Sequence, residues 1–501
     1  MAAETAVTTP EQLPEGMQNQ MPDTNADASA STDTDTDTSA NAKALSEFVA
    51  ASAAELDVPG VAVGLLHDGA EDYAFHGVTS VENPLPVDES TLFQFGSTGK
   101  TFTATAMLRL VDQGLVDLDA PVRTYVPELK LKDESVAQAV TVLQLFNHTA
   151  GWSGDLMDNT GDGDDALARY VERMATIEQV SPLGAEVSYN NASLSLAGRV
   201  IEKVTGHTFE QAIRELIFEP LEMRHSFFTA NEVMTRRFAV GHNQKPDGSI
   251  QVARPWALPR GAAPAGGISA NAADQLAWAK FHLGDGQAPD GKRLLPAELL
   301  ARMQAPAFDI KGSALGDFVG ISWFLRDVEG VRLVSHGGTT NGQHSAFVMV
   351  PERKFAFISM TNCGPNGPQL NDAVLKWALE RYLGVVEQDP EPLKLSDAEL
   401  APYTGTFETI AASCEISGND GGLLLQVTIK PETLAALREA GDDQGAGEEQ
   451  PPLPLGILAG DGDRYIVSDG PAKGMRGYFA RDEDGQIVGV HVGGRMATKT
   501  R

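Results

Sequence analysis

Read for its apolar spacing, the chain divides into helical, strand-like and unpatterned stretches in a definite order. Residues 1–40 carry no apolar periodicity and include Asp33-Thr34-Asp35-Thr36-Asp37-Thr38, so they predict a disordered acidic arm. From Ala42, Leu45, Phe48, Val49 and Ala53 recur every three or four residues, predicting a helix up to Leu56. Gly60–Leu66 and Asp72–Phe75 alternate as strands around the turn residues His67-Asp68-Gly69. A second helix is predicted over Thr101–Gln113, with Gly114 as its stop. Further helices are expected at 141–147, 166–174, 194–204, 209–218, 274–283, 296–303 and 369–383. Strands are expected from Val331, over Ser345–Val350 and over Lys354–Met360. After the proline-rich segment Glu387–Pro392 the pattern becomes short strands only: Tyr403–Phe407, Leu423–Ile429, Arg464–Val467, Gly477–Ala480 and Ile487–Val492. That spells a small antiparallel β-domain, with Glu439–Gln450 as a mobile loop.

Composition changes this picture little. The chain has 501 residues, 42% hydrophobic and 21% charged, enough for a large core and more than one domain. The net charge of −31 argues against nucleic acid or an anionic membrane as partner. Eight acidic residues precede Lys43, the first basic one. Cys363 and Cys414 fall in different predicted domains and lack metal-ligand spacing, so neither a disulfide framework nor a metal site is expected. No basic segment followed by an apolar run marks a signal, and no stretch is long enough to span a membrane. The expectation is a cytoplasmic protein, with a secreted form whose signal has been removed left open.

Candidate chemistry begins at Gly96-Ser97-Thr98-Gly99-Lys100. Ser97 precedes a helix, and Lys100 returns to the same face three residues on. A serine beside a desolvated amine can act as a nucleophile. This is the chain's one Ser-x-x-Lys, yet a capping serine with a solvated lysine explains it as well. A second group is Tyr189-Asn190-Asn191. If extended, it projects Tyr189 and Asn191 to one side. There a tyrosine hydroxyl can relay a proton and an asparagine amide can hold a carbonyl or hydroxyl. The ordinary alternatives are a half-buried aromatic and an N-cap. The third is His336-Gly337-Gly338-Thr339, where paired glycines let a substrate approach the backbone. The N–H groups of Thr339 and Ser97 could then meet an oxyanion; a glycine hairpin with a surface histidine is the bland alternative. Asp162–Asp165 is expected to be a solvated loop capping the next helix, and Gly266-Gly267 a structural bend or a pocket wall.

Taken in order, Ser97-x-x-Lys100, Tyr189-x-Asn191 and His336-Gly337-Gly338 resemble the signature of the serine β-lactamase and penicillin-binding-protein superfamily. The likeness covers about residues 41–384 and includes class C features at Leu145–Gly151 and Pro264–Gly267. Residues 399–501 resemble the lipocalin-like β-domain appended to many of these hydrolases, with 385–398 as linker. The resemblance implies an α+β fold: a central antiparallel sheet flanked by helices plus an all-helical region, then a small β-barrel-like domain. It implies Ser97 as nucleophile, Lys100 and Tyr189 as acid–base groups, and Asn191, His336, Gly337, Gly338 and Thr339 lining the substrate and oxyanion site, with no cofactor or metal. His336 stands where β-lactamases carry lysine, so a fixed positive charge is weakened. This variation resembles the esterase and D-aminopeptidase branch. The expected substrate is a small carboxylester, lactone or amide. The alternatives are a D-amino-acid peptidase or amidase, a β-lactamase-like enzyme, and a non-enzymatic binding or sensor module. A homo-oligomer is compatible with all of these.

Overall fold

The computed structural model describes residues 32–156, 159–245, 247–419, 421–439, 451–460, 463–470 and 472–500. Most of the expected arm and of the 439–450 loop lies outside these residues. The first helix, Thr32–Glu55, starts about ten residues before its apolar periodicity does and takes in the last part of that arm.

Eight antiparallel strands form the central sheet. From one edge they run Ala70–Gly77, Gly60–His67, Phe355–Thr361, Gln343–Val350, Val331–Thr340, Phe324–Val328, Gly316–Val319 and Phe308–Ser313. The N-terminal hairpin thus pairs with the last strand of the domain, Val61 opposite Thr361. Alternation along these strands builds two cores. Val61, Val63, Leu65, Phe355 and Phe357 meet the helices Thr32–Glu55 and Asn366–Ala378 on one face. Ala62, Leu66, Ala356, Ile358 and Met360 turn to the larger core on the other, where most remaining helices lie. Period-two patterning is what lets one strand serve both layers.

The helix Gly99–Asp112 is buried without a break from Gly99 to Leu108. A threonine-rich helix can sit there because its hydroxyls find carbonyls: Thr101 donates to Thr98 O within the turn at 2.7 Å, and Thr103 to Pro264 O of a neighbouring segment at 2.7 Å. Phe102 stacks on Trp278 with ring centres 3.9 Å apart, fixing the helix against the core.

Beyond residue 400 eight strands close into a barrel, the first meeting the last at Phe407 opposite Lys499. Five of these strands are those expected. The other three, Ala412–Asn419, Leu453–Ile457 and Arg495–Lys499, carry a proline, a glycine or charged ends that hide the alternation. The linker is pinned at Glu387, which accepts from Arg326 of the sheet and Arg476 of the barrel. Among the described residues no helix is long and apolar enough to cross a membrane. Cys363 and Cys414 are free and buried.

Candidate active site

Ser97 lies in a single 3-10 turn, Gly96–Thr98, that feeds the buried helix. It is the one residue from Thr91 to Lys100 that is not buried. The turn needs glycine at 96, where φ is +64°. No side chain caps the helix here, so Ser97 is not held as an N-cap.

Three hydrogen bonds lock the turn onto the sheet. Ser345 Oγ donates to Phe95 O at 2.7 Å, Thr98 Oγ1 to His336 O at 3.2 Å, and Gln94 N–H to Gln343 Oε1 at 3.1 Å. Gly337 and Gly338 sit inside the strand Val331–Thr340 and are not a hairpin; the turn falls later, at Asn341-Gly342. A Cβ on Gly338 would stand 1.9 Å from Phe95 O and 2.8 Å from Ser97 N. The glycine is therefore what lets the strand pass directly against the Ser97 backbone. Gly96 is matched in the same way: its missing Cβ would lie 2.7 Å from Thr339 N. The backbones of Ser97 and Thr339 are held side by side.

Lys100 is fully buried. Its Nζ lies 3.0 Å from Ser97 Oγ and 2.7 Å from the carbonyl of Ala265; the Gly266-Gly267 bend that follows packs on the Gly96 backbone and does not line the cavity. Burial holds the Lys100 amine well below the usual lysine range; Asp155 opposes this and Arg495 adds to it. Tyr189 is half-buried, and its ring centre lies 4.9 Å from Lys100 Nζ. Burial raises its hydroxyl pKa, which the Ser97 hydroxyl beside it lowers less strongly. The phenol stays protonated.

Asn190, not Asn191, caps the helix Asn191–Thr205, accepting from Ser193 N–H at 2.9 Å. Asn191 is the first helical residue and donates its amide to Asp155 at 2.6 Å. His336 Nδ1 lies 2.6 Å from Gly337 O; a carbonyl only accepts, so Nδ1 carries the proton and Nε2 is a bare acceptor. Burial, with Lys100 nearby, drives its pKa down to about 3, and the ring is neutral. His148 packs against Tyr189 at 4.7 Å and accepts the Asn190 N–H at 3.2 Å. The sequence-derived residues Ser97, Tyr189, Asn191, His336, Gly337, Gly338 and Thr339 line one cavity of about 660 Å³, with Lys100 behind Ser97.

The arrangement can place a hydroxyl beside an amine and a phenol, with two backbone N–H groups opposite. Residues 43–380 match the family model described as Beta-lactamase. The chain belongs to the beta-lactamase family.

Among members of this serine hydrolase family, penicillin-binding protein 4 of Amycolatopsis lactamdurans is 33% identical over 359 residues, covering 71% of this chain and 94% of that one. A β-lactamase of Yersinia enterocolitica is 27% identical over 337 residues, or 61% of this chain and 82% of that one. In fold, the chain is similar to SurE, with a TM-score of 0.72 and 23% identity over 92% of this chain and 100% of that one. It is also similar to an octameric penicillin-binding protein homologue of Pyrococcus abyssi, with a TM-score of 0.60 and 22% identity over 92% of this chain and 98% of that one.

The sequence reading of this family member missed two side chains. Asp155 precedes Asp162–Asp165, the stretch read as a solvated loop, and was not itself singled out. It accepts from Asn191 and from Arg495, at 2.5 Å in the second case. Arg495 enters the cavity from the barrel. Its only sequence signal was a Gly493-Gly494 pair ahead of a lone arginine. Further along that loop, Asp165 gives no side-chain cap to the following helix and pairs with Arg169 instead.

Proposed function

We propose that this chain is a serine hydrolase that works through an acyl-enzyme on small carboxylesters or lactones, with amides as the second class. The observation that carries this is the 3.0 Å approach of a fully buried Lys100 amine to the Ser97 hydroxyl. As an ammonium Lys100 donates to Ser97. As a free amine, which burial favours, it accepts the serine proton. Ser97 Oγ then attacks the carbonyl carbon, and the oxyanion forms against the N–H groups of Ser97 and Thr339. Tyr189, protonated and beside Ser97, gives its proton to the departing alkoxide or amine and regains one from Lys100. Asn191, with one donor committed to Asp155, keeps its carbonyl oxygen to accept from substrate. Water then releases the acyl group by the same route in reverse.

The neutral His336 favours esters over β-lactams, because it supplies no fixed positive charge where a β-lactam carboxylate would bind. Likeness to a penicillin-binding protein supports the amide and D-peptide reading as second choice. A homo-oligomer belongs to the same proposal, on the ground that the Pyrococcus relative is described as octameric.

The test compares wild type with Ser97→Ala on p-nitrophenyl butyrate, a D-aminoacyl p-nitroanilide and nitrocefin. Turnover of the ester, with at least about a thousandfold lower kcat in Ser97→Ala, is expected. Wild-type rates in the variant would contradict the mechanism, and absence of turnover and of acyl adduct in wild type would favour a binding module.

A further inference from the structure

One buried residue beside the site carries two costs that space-filling does not explain. His148 follows the helix Val142–Phe146 and its cap Asn147, with φ of +60° in the left-handed region. Glycine or asparagine normally takes such a helix end, because other side chains are strained there. The His148 ring is fully buried. Its Nδ1 accepts the Asn190 N–H, so the proton of the neutral ring sits on Nε2, which has no acceptor among the described residues. Burial, with Lys100 nearby, keeps the ring from taking a second proton. A phenyl ring would fill the same space without orphaning a donor. The strained backbone and the ring nitrogen therefore answer to another need.

What His148 holds is Tyr189. Its carbonyl accepts the Ser188 N–H at 3.0 Å and its Nδ1 accepts the Asn190 N–H at 3.2 Å, so one residue grips the backbone on either side of Tyr189. The N–H between them, that of Tyr189, donates to Gly494 O at 2.9 Å. The His148 ring also lies against the Tyr189 ring, with centres 4.7 Å apart and planes inclined by 39°. Phe324 stacks on the same histidine at 6.0 Å. His148 itself does not line the cavity, so it reaches the chemistry only through Tyr189. We propose that His148 is a positioning residue that aims the Tyr189 hydroxyl at the leaving group. The backbone grip sets where the side chain starts, and the ring contact sets its direction. A proton donor works only within hydrogen-bond reach of the atom that receives the proton, so a small loss of aim is felt in the rate. This assignment rests on the reading above in which Tyr189 protonates the departing group.

The experiment uses full-length protein and two esters that form the same butyryl-enzyme, benzyl butyrate and p-nitrophenyl butyrate. The benzyl alkoxide must be protonated as it leaves, whereas p-nitrophenolate departs without a proton. Because deacylation is common to both, kcat/KM compares their acylation steps. His148→Phe keeps a ring and loses the acceptor. It should lower kcat/KM for benzyl butyrate about thirtyfold and for p-nitrophenyl butyrate less than about threefold. His148→Asn suits the left-handed backbone, should show the same bias, and carries the test if His148→Phe does not fold. A fall of equal size on both esters, or no fall, would overturn the proposal. A Tyr189→Phe background separates positioning from packing: there, His148→Phe should slow benzyl butyrate no further. Additive losses in a Tyr189→Phe protein that is itself slow would overturn the role of His148 and leave that of Tyr189 standing. A Tyr189→Phe protein as fast as wild type on benzyl butyrate would remove the acid–base reading of Tyr189, and this proposal with it.

Discussion

At the scale of single residues, the site depends on one amine kept out of water. Lys100 touches Ser97 and a backbone carbonyl and is fully buried, so the free amine persists to lower pH than a solvated lysine would allow. Two consequences follow for kinetics. Lys100→Arg, whose charge does not leave, should lose about as much kcat as Lys100→Ala. Neither loss should add to that of Ser97→Ala, because these groups act as a unit. Full additivity in the double variants would contradict the shared role. Gly338 offers a different check. Any Cβ there meets Phe95 O at 1.9 Å, so Gly338→Ala must push the strand off the Ser97 turn. A displacement near 1 Å is expected to cost about a hundredfold in kcat/KM. Wild-type kinetics in a well-folded Gly338→Ala protein would show that the close approach is not needed.

At the scale of elements, the Tyr189 segment is held by its cap. Asn190 accepts from Ser193 N–H and Oγ and from Trp152 Nε1, and donates to Trp152 O. Asn190→Ala would orphan these buried groups and is expected to cost about 2–3 kcal/mol, read as a lower denaturation midpoint. A midpoint within error of wild type would remove the cap from the account. Asn190 also shows how far the sequence could be read. The pair Asn190-Asn191 announces a helix start, but period alone does not say which of the two caps. Only the chain's approach from Tyr189 decides it. The Ser97 helix, the hairpin at 60–77 and the glycine strand were legible because local patterning and tertiary role agree there. Arg495 was not. Its role arises from contact between segments 340 residues apart in the chain, Asp155 and Arg495, and no local pattern encodes that. The three unread barrel strands failed for the opposite reason: their alternation is interrupted by proline, glycine or charge, and the closed barrel overrides it.

At the scale of the whole molecule, residues around the central sheet and of the barrel line one cavity, and buried neutral histidines recur in both parts. Burial lowers His282 and His336 to about 3 and His344 and His491 to about 4. Unfolded histidines titrate near 6.5. Above that value these groups do not alter stability. As pH falls below it, the unfolded chain takes up protons that the native state cannot, so stability declines. The expected loss is on the order of 1 kcal/mol per pH unit for each such histidine. Denaturation midpoints should therefore drop between pH 7.5 and 5, above the range where carboxylates titrate; a flat profile would contradict it. The central claim, a covalent acyl-enzyme at Ser97, is tested most directly by mass spectrometry of protein quenched during turnover of p-nitrophenyl butyrate. One butyryl group on the peptide containing Ser97, absent from Ser97→Ala, is the predicted result. Turnover with an unmodified Ser97 at every quench time, or the label on another residue, would contradict it.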